Sequence, residues 1–156
     1  MVMKPSIHKL FIAPKGGAEM TSVEQVEAVA ERGLNGDRYC AQTGHWQDVD
    51  QCQVTLIEKE ALDEIHVATG VNILNGEHRR NIVTEGIRLH ELNGRTFKIG
   101  EALFVYERDR PPCGYIASLT SRKMTKALWG RSGICVQVIK QGHISVGDTI
   151  DIIDTP

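Results

Sequence analysis

The sequence has no apolar run long enough for a membrane span or a secretory leader; its N-terminal "MVMKPSIHKLFIAPKGG" holds only one short apolar patch. It has no large surplus of charge either, with a formal net of -2. Nothing global draws the chain to nucleic acid or to an anionic membrane, so any anion binding has to come from a local cluster. No C-x-x-C pair occurs among its 4 cysteines, which removes the common paired zinc and redox spacings. Gly-rich phosphate loops are missing as well, since "PKGGAE" matches neither the Walker nor the dinucleotide spacing. No internal repeat, low-complexity run or Pro/Ser-rich linker divides the chain. These absences leave one domain over residues 1–156, large enough to bury its own core. The expected setting is cytoplasmic, with Cys40, Cys52, Cys113 and Cys135 as free thiols.

What is present is glycine, spread throughout, which suits many short elements and turns. "SIHKLFIA" reads as a first strand ending at Pro14. "TSVEQVEAVAERGLNG" is ambiguous: Thr21 and Glu24 form a capping-box pattern and Val23, Val26 and Ala30 recur at helical spacing, yet the β-branched content also permits a strand. Val54 to Ile57 reads as a buried strand, followed by a helix with Ala61, Leu62, Ile65 and Ala68 on one face before Gly70. A strand through Asn81 to Val83, a turn near Leu92 to Gly94 and an extended stretch from Phe97 to Arg108, broken at Gly100, come next. Leu103 to Tyr106 is apolar on both faces, as in a covered sheet. Ser121 caps a helical "RKMTKALW", and the tail reads as two strands around a glycine-containing loop. The sum is a mainly β (α+β) fold, a twisted barrel of short strands with two or three peripheral helices.

Chemistry concentrates in "VYERDRPPCGY". With the strand running on through Arg110, alternation puts Arg108 and Arg110 on one face, and Pro111 and Pro112 set the direction in which the chain leaves. Nearby guanidinium groups favour the thiolate of Cys113, which is both the nucleophile and the metal-binding form. The plain alternative is a small residue filling a barrel rim. In "GLNGDRY", Arg38 is a candidate phosphate fork, against a local Asp37 bond to the turn with a surface arginine. In "RRNIVTEG", alternation sets Arg79 and Asn81 on one side, where Asn81 can pair with a heterocycle edge, and Arg80 on the other. A charged edge strand explains the same residues without a ligand. Cys40, His45 and Cys52 at C-x4-H-x6-C, with His66 or His78 elsewhere, lack the tight pairing of strong zinc motifs.

Taken in order, "GLNGDRY", "RRNIVTEGIRLHELNGRTFKIGEALFVYE", "PPC" and "GRSGICVQVIKQGHISVGDTIDI" resemble the MOSC domain, named for the C-terminal part of molybdenum cofactor sulfurase. The resemblance runs from about residue 6 to residue 153. It implies a barrel-like domain that binds or serves the molybdopterin form of the molybdenum cofactor. Cys113 occupies the position of the family's reactive cysteine, which is proposed to carry sulfane sulfur as a persulfide and binds molybdenum directly in the amidoxime-reducing relatives. By the same resemblance Lys15 and Arg38 hold the cofactor phosphate, Arg79 and Asn81 flank the pterin, and Arg108 and Arg110 wall the pocket. The chain reads as a MOSC unit without a pyridoxal-phosphate desulfurase domain, a flavin or an iron–sulfur module. Sulfur transfer therefore calls for a partner cysteine desulfurase, with the pyridoxal phosphate on that partner, and reduction of N-hydroxylated compounds calls for an electron-donor protein. A non-catalytic module that binds cofactor or partner is a third reading. Oligomeric state is left open.

Overall fold

Short β-branched and apolar runs between turns form eleven strands among the described residues of the computed structural model, which are 4–42, 52–110, 128 and 130–153. In chain order these are β1 (Ser6–Ile12), β2 (Thr21–Val23), β3 (Gln25–Val29), β4 (Gly33–Leu34), β5 (Val54–Glu58), β6 (Ile82–Glu85), β7 (Thr96–Ile99), β8 (Ala102–Asp109), β9 (Ile134–Lys140), β10 (Gly142–Ser145) and β11 (Ile150–Ile152). Two α-helices, α1 (Arg38–Ala41) and α2 (Lys59–Thr69), and a 3-10 turn at Leu89–Leu92 interrupt them.

One sheet has eight strands in the order β11-β7-β8-β9-β5-β6-β1-β2, and a second has three, β10-β3-β4. The fold is thus mainly β with few helices, as expected. The large sheet is not closed by a continuous ladder, so the barrel expectation holds loosely. Its curl nonetheless brings β1 to the segment before β11, where Ser6 bridges Thr149 and Ile7 N donates to Asp148 O at 2.9 Å.

The 21–34 ambiguity resolves to β2, β3 and β4, because Val26 and Ala28 alternate into the core and pair with β10 and β4. The predicted strand at Asn81 begins one residue later, since Asn81 lies in the bend that feeds β6. Leu103 to Tyr106 is buried fully only at Phe104, the other three being half-buried, so β8 is covered mainly on one face. The tail makes three strands, not two, because the Gly147 turn separates β10 from β11. The helix capped by Ser121 lies outside the described residues, apart from Leu128, which is helical and buried.

β5 and β6 are parallel, with α2 as the crossover that such a pair requires. This explains why Val54 to Ile57 is buried throughout: one face meets the main core around Leu10, Phe97 and Phe104, and the other meets Leu62 and Ile65 of α2. α2 ends as its sequence suggests, at Gly70 in the left-handed region with φ 71°. The antiparallel β5–β9 pair also sets Thr55 opposite Cys135. There Cys52, just before β5, and Cys135 form a disulfide, which corrects the free-thiol expectation for these two residues. Their sequence separation of 83 hid the contact until the strands were paired. No helix among the described residues is long and apolar enough to cross a membrane.

Candidate anion-binding site

The site is built where α1, the bend before β6 and the end of β8 meet. α1 is only one turn long and exists because Asp37 caps it, its carboxylate accepting from Tyr39 N at 3.3 Å. The same carboxylate accepts from Ala13 N at 3.0 Å, so the helix is latched to the end of β1. Asp37 is the one buried carboxylate among the described residues, and it is fully buried. Its partner is Arg38, whose Nη1 lies 2.9 Å from Asp37 Oδ1. Arg38 Nη2 donates to Arg79 O at 2.9 Å and to Tyr39 Oη at 3.3 Å, while its guanidinium carbon lies 4.4 Å from the centre of the Tyr39 ring.

Three further arginines are buried nearby: Arg79, Arg80 and Arg110, at 8, 5 and 7 % exposure. Arg79 adopts a left-handed backbone at φ 65°, a conformation uncommon for a residue with a side chain, so strand alternation does not apply there. Its Nη1 donates to Ala18 O, in the loop that carries Lys15. Arg80 turns the other way, Nε donating to Ser132 O at 2.7 Å and Nη2 to Ser132 Oγ and, at 3.4 Å, to Arg110 O. Arg110 Nη2 donates to Tyr39 Oη at 3.5 Å. Ser132 is brought within reach by Gly133, which has φ 94° and where a Cβ would collide with the Leu56 carbonyl.

The electrostatic consequence is readable at Tyr39. Burial pushes its phenol pKa up, but Arg38, Arg110 and Arg80 together outweigh both burial and Asp37, and the pKa falls below the usual 10.0. A phenolate is favoured by its surroundings despite desolvation, so the local potential is positive. His78, beside these arginines, reports the same field. Its Nδ1 accepts from Arg80 N at 2.9 Å, which leaves the proton on Nε2. Burial and the charges of Arg80, Lys9 and Arg79 push its pKa down to about 3. His78 Nε2 has no hydrogen-bond partner among the described residues. On the outer side of the cluster, Arg110 and Ser132 also line a cavity of about 620 Å³, shared with Asp109, His90 and Arg131. That is the size of a small-molecule site.

The expected site residues fall as follows. Arg38, Arg79 and Arg110 are brought together. Arg38 is neither a surface residue nor an open fork, because Asp37, Arg79 O and Tyr39 already engage its donors. Asn81 is fully buried with its amide in the sheet: Oδ1 accepts from Thr55 N and Oγ1 at 3.0 and 3.1 Å, and Nδ2 donates to Phe11 O at 3.1 Å. Arg108 is half-buried in β8 opposite Cys135, and because β8 ends at Asp109 it does not share a strand with Arg110. Lys15 is exposed in its loop. Cys113 and His45 lie outside the described residues. Cys52 is in the disulfide and so is not a thiolate ligand, and no group of three metal-ligating side chains occurs among the described residues. Sequence reasoning missed Arg80, Tyr39 and Ser132, and considered His78 only as a remote metal ligand. Arg80 was set aside by an alternation rule that a left-handed Arg79 cancels, and Ser132 is 52 residues from it.

Comparison with known proteins bears on this arrangement. The model of the MOSC domain matches residues 40–151. The chain belongs to the MOSC domain family. No curated protein matches its sequence. Among solved structures, the YuaD protein from Bacillus subtilis is similar at 19% identity and TM-score 0.78, over 99% of this chain and 98% of that one. YiiM from Geobacillus stearothermophilus is similar at 18% identity and TM-score 0.74, over 96% of this chain and 75% of its own. YiiM from Escherichia coli is similar at 17% identity and TM-score 0.67, over 100% of this chain and 71% of its own. At these identities the likeness is one of fold. The arginine cluster therefore sits on a MOSC scaffold, and its chemistry has to be argued from its own residues.

Proposed function

We propose that this MOSC protein binds the molybdopterin form of the molybdenum cofactor at the arginine cluster and uses Cys113 to carry sulfur toward a metal centre. The observation that supports this reading is that Arg38 and Arg110 both donate to the phenol oxygen of Tyr39 and, with the charge of Arg80, lower its pKa against burial. A donor set of planar guanidinium groups in a positive, desolvated setting fits a phosphate, which accepts two parallel N–H bonds from each. Arg110, which also lines the large cavity, is the proposed phosphate residue; Arg80, engaged by Ser132, adds positive charge, Arg38 and Asp37 hold Tyr39 in place, and Arg79 orders the loop that carries Lys15. Once bound, the cofactor would supply a redox-active metal for which a soft thiolate is a suitable ligand.

Cys113 follows Arg110 by three residues. Three residues of chain span no more than about 11 Å between Cα atoms, so chain connectivity is compatible with the thiol serving the same site. In the sulfur-carrying step, the Cys113 thiolate attacks the outer sulfur of a persulfide on a partner cysteine desulfurase. A Cys113 S–S bond forms as the donor's inner sulfur leaves as a thiolate. The protein thereby holds the sulfur and the desulfurase keeps its own pyridoxal phosphate.

Molybdenum and pterin analysis of protein freshly purified from a cofactor-producing host tests the binding. The expected result is stoichiometric pterin that is lost on Arg110→Ala; pterin-free protein refutes the reading. Intact mass after incubation with a cysteine desulfurase and cysteine tests the second half. A persulfide that disappears in Cys113→Ser is expected, and an unmodified Cys113 removes the sulfur-carrying role.

A further inference from the structure

The cysteines other than Cys113 meet at a second place. Cys40, at the end of α1, and Cys52 line one cavity of about 110 Å³ together with Tyr39, Arg32, Gln53 and Gln137. A cavity of this size with polar walls holds a few waters. Cys40 is the free thiol among the described residues and is half-buried, while Cys52 is bonded to Cys135. Arg32 clamps the main chain at this point, Nε and Nη2 donating to Cys40 O at 3.3 and 2.9 Å. Of the two disulfide sulfurs, only that of Cys52 belongs to a cavity residue. Cys135 is fully buried in β9 and absent from the lining.

We propose that this cavity is a thiol–disulfide exchange site in which Cys40 attacks Cys52 and displaces Cys135. The Cys40 thiolate forms the new Cys40–Cys52 bond as the Cys52–Cys135 bond breaks, and the electron pair leaves on the Cys135 sulfur. The proton given up by Cys40 ends on Cys135, so no oxidant or reductant is consumed. The direction of attack follows from placement, since of the two bonded cysteines only Cys52 lines the cavity. The product is compatible with the fold, because a buried cysteine in β9 packs as a small apolar thiol. The exchange moves the covalent link from the β5–β9 pair to α1, the helix that carries Arg38 and Tyr39. It stands whether or not the arginine cluster binds a cofactor.

The test is disulfide mapping of the wild-type chain, purified without reductant and incubated near the ordinary cysteine pKa of about 8.5. The sample is quenched with acid, alkylated and digested without reduction. The expected result is a Cys40–Cys52 peptide beside Cys52–Cys135, with Cys135 alkylated in the same proportion, and its complete loss in Cys40→Ser, which keeps Cys52–Cys135. Recovery of Cys52–Cys135 alone with Cys40 fully alkylated overturns the proposal, as does Cys52 joined to Cys113 in place of Cys40.

Discussion

Replacing Asn81 with alanine removes an amide that joins two strands through three hydrogen bonds: from Thr55 N and Thr55 Oγ1 to Oδ1, and from Nδ2 to Phe11 O. The residue is fully buried, so water cannot take its place. Each buried group deprived of its partner costs about 1–3 kcal/mol, and because the three share one network the total is expected near 3–5 kcal/mol rather than their sum. That is a large part of the ~5–15 kcal/mol available to a domain. With a urea dependence of about 2 kcal/mol/M, the unfolding midpoint should fall by roughly 1.5–2.5 M. Thr55→Val removes the same hydroxyl from the other side, and its Oγ1 also accepts from Asn81 N at 2.9 Å. The double variant should therefore be less destabilised than the sum of the singles by about 1 kcal/mol or more. A stability loss below about 1 kcal/mol, or strict additivity, refutes this account. Either result would return Asn81 to the role the family resemblance gave it, an amide facing a pterin.

Three other perturbations have defined outcomes. His78 titrates at about 3 in the folded protein against 6.5 in the unfolded chain, so the unfolded state binds more protons between those values. Stability from this residue is complete above about pH 6.5 and is lost as pH falls toward 3, by an amount on the order of 5 kcal/mol; urea midpoints across that window should fall steeply in wild type and less so in His78→Asn. Gly133→Ala should abolish folding or the native circular dichroism spectrum, because the new Cβ meets the Leu56 carbonyl at a backbone of φ 94°; a wild-type melting temperature would contradict it. The disulfide closes a loop of 83 residues, so Cys52→Ser should lower stability by up to about 4 kcal/mol in denaturant titration; an unchanged midpoint would mean that the link constrains little.

The strand-rich architecture was legible because its cause is local. β-branched runs bounded by glycine make strands wherever they occur, and α2 carries its own period and its own Gly70 stop. The buried strand at Val54 to Ile57 followed at once by a helix was legible too, although its parallel pairing with β6 was not. What was not legible depends on which strands become neighbours. The Cys52–Cys135 bond follows from β5 pairing with β9, and Arg80 meets Ser132 only because Gly133 lets the chain pass close to Leu56. Arg79 shows a subtler limit. The alternation rule was sound for a strand, and it failed on a single residue at φ 65° just before the strand began. Arg38 was expected as a phosphate fork, and the resemblance could not show that it would be buried with Asp37 already engaging it.

Four consecutive residues around α1 face four different parts of the molecule. Asp37 holds β1 at Ala13 N, Arg38 holds the bend before β6 at Arg79 O, Tyr39 meets Arg110 at the end of β8, and Cys40 lines the cavity that contains Cys52. A helix of one turn has too few internal hydrogen bonds to stand alone, so its position is set by these contacts rather than by its own stability. Its links to β1 and the β6 bend are charged hydrogen bonds in a buried setting, and each is stronger there than in water. The consequence is mechanical. Any change of bonding at Cys40 pulls on the same turn of backbone that aims Arg38 and Tyr39, and any anion drawn to Arg110 bears on Tyr39 from the other side. The arginine cluster and the thiol cavity share α1 as a common wall, and a perturbation of either should be felt at the other.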